Sequence, residues 1–217
     1  MTKNETITIK KVTVWQIISG ILAILLVLSY IGDSPSTGQA TRPTPSQGTG
    51  SGTQVQTLDG ARAIGAENPT VTIVKYNSFS CGFCDSVRPT IRQILETYPE
   101  DVQVVVKHFD RGGSDSMSGQ AMECAGDQGQ WYEMYNMLFD RGPHSGYSGY
   151  ARDLGLDVAE FDECMSSQRH LDRVRSDTNE ARQLGFSGTP SFTINNEQIV
   201  GAQPFANFQR IIEAELQ

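Results

Sequence analysis

The stretch Asn77–Leu95, NSFSCGFCDSVRPTIRQIL, holds the residues best suited to covalent chemistry: Cys81 and Cys84, with two residues between them. A helix N-terminus presents unsatisfied amides and the positive end of the helix dipole, which favours an anion and so a thiolate. Cys81 would sit at or just before such a terminus, and Cys84, one turn on, can reach it. This spacing suits an easily reduced disulfide that exchanges through a mixed disulfide with another thiol. Zinc would need two further ligands, and Cys124 and Cys164 are single, distant and set in helix-like segments. His108, His144 and His170 show no metal spacing and read as surface or loop residues. The cysteine pair therefore reads as redox-active, with no metal or cofactor expected.

To hold the pair this way the chain needs a strand, a junction and a helix in that order. Val71–Tyr76 (VTIVKY) is short, β-branched and preceded by Asn68-Pro69, the pattern of a buried strand. After Cys84, the residues Val87, Ile91, Ile94, Leu95 and Tyr98 fall on one helical face, predicting a helix of about four turns. Asp101–Phe109 reads as a second strand, parallel to the first across a right-handed crossover. Short amphipathic runs separated by glycines and Pro143 then predict helices from about Ser114 to Phe186, with Asp157 and Glu160 as a capping-box-like start. SFTI (191–194) and EQIV (197–200) around Asn195-Asn196 predict a hairpin, and Pro204 opens a last helix that puts Phe205, Phe208, Ile212 and Leu216 on one face.

No charged residue lies between Lys11 and Asp33, and Val14–Ile31 is almost wholly apolar. As a helix that interval spans about 30 Å, a bilayer's hydrocarbon thickness. Lysines precede it and Asp33 follows, so residues 1–11 are expected in the cytoplasm, 12–32 as a transmembrane signal-anchor, and the rest outside. A cleaved signal, with Gly38-Gln39-Ala40 as a weak cleavage site, is the competing reading. Residues 33–53 are rich in Ser, Thr, Gly and Pro, a flexible linker to a domain at 54–217. The chain is thus expected at the cell membrane, single-pass, with its catalytic domain extracytoplasmic. Residues 33–217 carry 14 Lys and Arg against 24 Asp and Glu, a balance that argues against nucleic acid as a partner. All four cysteines lie in this region, where an oxidising compartment would let disulfides persist.

Three features together resemble the DsbA-like branch of the thioredoxin superfamily: Cys81-Gly82-Phe83-Cys84 after TIVKYNSFS, ECAGDQGQWYEMYNMLF (123–139), and GFSGTPSFTINNEQIVGAQPF (185–205). The resemblance runs from about Asp59 to Leu216. It implies an α/β thioredoxin-like fold with a helical insertion, about 112–186, before the C-terminal hairpin and helix. Pro89 matches a proline that kinks the active-site helix in many relatives. Pro190 matches the family's cis-proline, and Thr189 before it would offer its backbone to an extended substrate. Gly82-Phe83 supplies no histidine to lower the Cys81 pKa, a departure from the strongest oxidases. Phe83 could line an apolar patch for unfolded substrate, or pack in the core as Phe79 would. The aromatic run Trp131, Tyr132, Tyr135 and Phe139 reads as helix core.

Lys75 stands where relatives often carry an acidic group. Either its amine points at the site and stabilises a thiolate, or it snorkels outward. Cys124 and Cys164 form either a structural disulfide, the favoured reading, or a second redox pair. The family resemblance implies disulfide formation in exported proteins that carry free cysteines, and reoxidation by a quinone-linked membrane enzyme of the DsbB or vitamin K epoxide reductase type. The same site run in reverse would be a reductase or isomerase, and a peptide-binding holdase is a third reading.

Overall fold

The computed structural model describes Gly60, residues 62–144 and residues 146–217. The expected cytoplasmic segment, transmembrane helix and linker lie outside the described residues. Among the described residues no helix is long and apolar enough to cross a membrane.

The elements in chain order are β1 (Arg62–Gly65), β2 (Val71–Asn77), α1 (Gly82–Ser86), α2 (Arg88–Thr97) and β3 (Val102–His108). Five helices follow: α3 (Asp115–Asp127), α4 (Trp131–Arg141), α5 (Tyr147–Asp153), α6 (Val158–Ser166) and α7 (Leu171–Gln183). The chain then forms β4 (Ser191–Ile194), β5 (Glu197–Val200) and α8 (Phe205–Glu215). The sheet order is β1-β3-β2-β4-β5, with β2 and β3 parallel and the other pairs antiparallel. This is a thioredoxin-like sheet with a helical insertion between β3 and β4.

Side chains alternate across a strand, and the two sheet faces bury different cores. Val71 and Ile73 of β2, with Val102 and Val104 of β3, pack against Ile94 of α2 and Phe208, Ile211 and Ile212 of α8. Val74, Tyr76 and Val105 face the other way, toward Ala181 of α7 and Phe186. The insertion has its own core of Met122, Met134, Leu138, Tyr150 and Phe161, joined by Phe79 from the cysteine loop. Half of the expected capping box forms: the Asp157 carboxylate accepts from the amides of Ala159 and Glu160, while the Asp157 amide donates to the Gln128 side chain rather than to Glu160.

One expectation is refined, in line with the kink that Pro89 implied, and one strand was not foreseen. The helix after Cys84 is two helices, broken at Val87. Pro89 has no N–H to return to the Asp85 carbonyl, so the helical ladder cannot run through, and α2 restarts with proline in its first turn, where the missing donor is harmless. Strand β1 was not anticipated, because RAIG is too short to show a pattern. It ends at Gly65, whose φ of +113° and close approach to the Val102 carbonyl leave no room for a Cβ.

Candidate active site

The parallel strands β2 and β3 end at the same edge of the sheet, where the Phe109 amide donates to the Asn77 carbonyl at 2.8 Å. Cys81 lies just beyond β2 as the N-cap of α1, with extended backbone (φ −101°, ψ 110°), and its carbonyl accepts from the Cys84 amide at 2.9 Å. Cys84 is fully buried one turn on, while Cys81 keeps 6% exposure. Both are free thiols. The loop before β4 closes over them: the Cys81 thiol donates to the Thr189 carbonyl at 3.2 Å, and the Thr189–Pro190 bond is cis. The structure thus brings Cys81, Cys84, Thr189 and Pro190 together.

The two thiols are made unequal. Burial alone would raise Cys81, but hydrogen bonds from Thr189, from Cys84 and from the Phe83 amide outweigh it and leave its pKa below the ordinary value. The buried Thr189 hydroxyl makes no hydrogen bond of normal geometry in the dithiol state. It lies where it would donate to a thiolate on either sulfur, which favours ionisation of both. At Cys84 burial wins and pushes the thiol up to about 11, although the charge of Lys75 pulls it down.

Lys75 points inward, so the outward alternative is corrected. Its register explains this: Lys75 shares a face of β2 with Val71 and Ile73, the face that α1 and α2 cover. It is fully buried; Nζ donates to the Cys84 carbonyl at 3.2 Å and to the Tyr135 hydroxyl at 2.7 Å. The ammonium also lies 5.3 and 5.4 Å from the ring centres of Tyr135 and Phe139, within cation–π range. Desolvation lowers its pKa to about 8, against the opposing pull of Cys84. Tyr135 is itself buried and its pKa is driven upward, chiefly by desolvation, so its hydroxyl stays protonated. A buried amine held between aromatic rings and the backbone of the second cysteine can stabilise a thiolate or hand it a proton.

Gly82 has no neighbour within 4 Å of a notional Cβ, and Phe83 beside it stands 70% exposed, so the core-packing alternative for Phe83 is corrected. Phe79 is the core residue, with its ring against Tyr135 and Phe139. Asp115, which the motif did not point to, anchors the cysteine loop to the insertion. Its buried carboxylate accepts from the Ser78 and Ser80 hydroxyls, the Ser80 amide and the Arg111 amide. The serines of SFSC were the available signal, since two hydroxyls beside a reactive loop need an acceptor.

Cys124 and Cys164 are disulfide-bonded and tie α3 to α6. His170 lies beside that bond and pairs with Asp127 at 2.8 Å, but the two sulfurs are bonded to each other rather than free to hold a metal. His108 is corrected from a surface residue to a buried one. Its Nε2 lies 2.9 Å from Glu123, which also takes Arg62 at 2.8 Å and Arg173 at 3.2 Å. Burial would raise the Glu123 carboxyl, yet His108, Arg173 and Arg62 hold it at about 2.

Comparison with known proteins agrees with this architecture. A family model described as Thioredoxin matches residues 57–214. Curated relatives include the Na(+)/H(+) antiporter NhaA 1 of Salinispora arenicola, 31% identical over 147 residues, covering 64% of this chain and 22% of that protein. The NhaA antiporter of Herminiimonas arsenicoxydans is 26% identical over 153 residues, 69% of this chain and 25% of that protein. The chain therefore spans about a quarter or less of the length of these relatives. Among solved structures, BdbD from Bacillus subtilis superposes with a TM-score of 0.67 at 16% identity, over 74% of this chain and 95% of that one. The thiol-disulfide exchange protein α-DsbA2 from Wolbachia pipientis gives 0.66 at 17% identity, over 73% and 88%. The fold is that of DsbA-like proteins, and the chain belongs to the thioredoxin family.

Proposed function

We propose that this protein is a thiol-disulfide oxidoreductase that forms disulfides in exported proteins through the Cys81–Cys84 pair. The observation that carries the reading is the asymmetry of the pair: a partly accessible Cys81 with a lowered pKa at a helix N-terminus, and a buried Cys84 with a raised one. A substrate thiolate attacks Cys81 Sγ of the disulfide, forming a mixed disulfide while the bonding pair leaves with Cys84. A second substrate thiolate attacks the substrate sulfur, Cys81 departs as a thiolate, and the substrate carries the new disulfide. The enzyme, now a dithiol, returns to the disulfide by giving two electrons and two protons to a reoxidant. On this reading the reoxidant is a quinone-linked membrane enzyme, and the apolar segment 12–32 anchors the domain outside the cytoplasm.

Polypeptide substrates are supported by where apolar side chains stay exposed. Phe83, Met117 and Val200 are the large exposed hydrophobics among the described residues. Phe83 lies between the two cysteines, Met117 follows the Asp115 that holds Ser80, and Val200 precedes Gly201, whose amide donates to the Pro190 carbonyl at 2.8 Å. All three lie on segments bonded to the dithiol site.

The test is the reduction potential of the Cys81–Cys84 couple, equilibrated in glutathione buffers. A value of about −120 to −180 mV, the range of DsbA and protein disulfide isomerase, supports the oxidase. A value near about −270 mV, as in thioredoxin, replaces it with a reductase. Cys81→Ser abolishes exchange on either assignment; retained substrate binding and undiminished function in a Cys81→Ser/Cys84→Ser variant would make the domain a holdase instead.

A further inference from the structure

A groove of about 720 Å³ opens at the same sheet edge, between the segment that follows β3 and the segment that precedes β4. Phe109 and Phe186 form its buried floor, and Arg111, Arg182 and Ser187 stand exposed around it. Both walls are continuous with the dithiol site. The Arg111 amide shares the Asp115 carboxylate with Ser80, the residue before Cys81. On the other wall Ser187 is two residues from Thr189, whose carbonyl takes the Cys81 thiol. Two residues of extended chain cover about 7 Å. A polypeptide lying along Thr189 with its cysteine at Cys81 therefore carries its neighbouring residues into this groove.

The charges of the groove differ in sign from the rest of the domain. Arg182 lies 5.8 Å over the Phe109 ring, and Arg111 has no carboxylate partner among the ion pairs of the described residues. The acidic member, Asp110, is turned to its own loop: Oδ1 accepts from the Gly112 amide at 2.7 Å. Taken whole, residues 33–217 carry ten more acidic than basic side chains, a field that repels acidic peptides at long range.

Resting on the oxidoreductase reading above, we propose that this groove is a substrate subsite which selects polypeptides bearing a carboxylate within a few residues of the reacting cysteine, through Arg111 and Arg182. A guanidinium binds a carboxylate through two parallel hydrogen bonds, and the aromatic floor accepts the aliphatic part of a Glu side chain. The domain's net charge alone predicts the reverse preference, for lysine-bearing peptides, so the sign of the effect is diagnostic.

The experiment uses the full chain with Cys84→Ala and synthetic peptides whose single cysteine is joined to thionitrobenzoate. The Cys81 thiolate attacks the peptide sulfur, and thionitrobenzoate leaves as a coloured thiolate, so no other oxidant or reductant is needed. Peptides carry Glu, Gln or Lys two to four residues to either side of the cysteine. Expected are second-order rates about tenfold higher for Glu than for Lys at low salt, narrowing in 0.5 M salt by screening. Arg111→Gln/Arg182→Gln removes the preference and leaves the Gln peptide's rate unchanged. Equal rates, faster reaction of the Lys peptide, or a Glu preference that survives the double variant would overturn the subsite. A Gln peptide that fails to react with Cys81 at all overturns the oxidoreductase reading, and the subsite with it.

Discussion

Replacing Lys75 with methionine keeps the apolar stem and removes the ammonium beneath Cys84. Two unit charges roughly 5 Å apart at an effective dielectric near 20 interact by about 3 kcal/mol, which corresponds to about 2 pK units. Cys84, already raised by burial, rises further when the ammonium's opposing pull is lost. As nucleophile toward a mixed disulfide at pH 7, it loses about 100-fold in thiolate and regains about tenfold in intrinsic nucleophilicity, a net slowing of about tenfold. Opening of the Cys81–Cys84 bond passes through the same transition state and slows alike. The assay follows opening by excess reduced glutathione and takes the ratio of wild-type to Lys75→Met rates, in which the titration of glutathione cancels. Lys75 is protonated below about pH 8, so the ratio is about ten at pH 6 to 7 and falls toward one as pH rises through 8. Stability moves the other way. A folded pKa near 8 against 10.5 means the unfolded chain binds the proton more tightly, so burying the ammonium costs about 3 kcal/mol below pH 8, and stability rises between 8 and 10.5. Losing the hydrogen bonds to Tyr135 and Cys84 offsets part of that relief, leaving Lys75→Met more stable by about 1 to 2 kcal/mol at pH 7. Ordinary core damage would lower both rate and stability. A flat ratio across pH 6 to 10, or a variant both less stable and slower, refutes the reasoning.

Glu123→Gln removes a buried carboxylate that Arg62, Arg173 and His108 surround, and is expected to cost about 3 kcal/mol at pH 7 in urea unfolding. Because the folded pKa is depressed to about 2, the contribution is full above about 4.5 and is lost as pH falls toward 2; the wild type should lose stability across that window more steeply than the variant. Opening the Cys124–Cys164 loop with a double serine substitution should lower stability by about 4 kcal/mol for a separation of 40 residues, while the potential of the Cys81–Cys84 couple stays unchanged if the bond is structural. Asp115→Ala leaves the Ser80 amide and two hydroxyls without their acceptor, and should slow exchange at Cys81 as well as cost about 2 kcal/mol. Thionitrobenzoate release in Asp115→Ala, compared with Asp115→Asn, separates a loosened loop from a lost charge.

The frame was legible because it is local. β-Branched runs, helical periodicity and the hairpin around Asn195-Asn196 each fix an element within a few residues, and Asn195 takes the left-handed φ of 48° that such a turn requires. What escaped depends on partners far along the chain. Arg62 meets Glu123 across 61 residues, Ser80 meets Asp115 across 35, and Lys75 meets Tyr135 across 60. Lys75 shows the difficulty well: strand periodicity places it on the Val71 and Ile73 face, but a lysine at a strand end reads equally as a snorkelling one until the helices covering that face are known. His108 escaped for a related reason, since a lone histidine ending a strand gives no sign of the carboxylate that meets it from α3.

The inward lysine also bears on why, in the proposed cycle, exchange would begin at Cys81. Leaving-group chemistry alone would direct attack to Cys84, expelling the lower-pKa Cys81. Burial forbids this, since Cys84 has no accessible surface, so the incoming thiolate must take Cys81 and expel the poorer leaving group. A thiolate with a pKa of about 11 departing into an apolar pocket needs a counter-charge or a proton at that moment, and Lys75 can supply either. With burial lowering the ammonium's pKa and raising the thiol's, transfer of its proton to that thiolate runs downhill. A carboxylate at the same position would repel the departing thiolate unless it arrived protonated. On this reading the lysine that departs from the family's usual acidic group performs the same proton transfer with the opposite charge, and its burial cost is the stability given up for it.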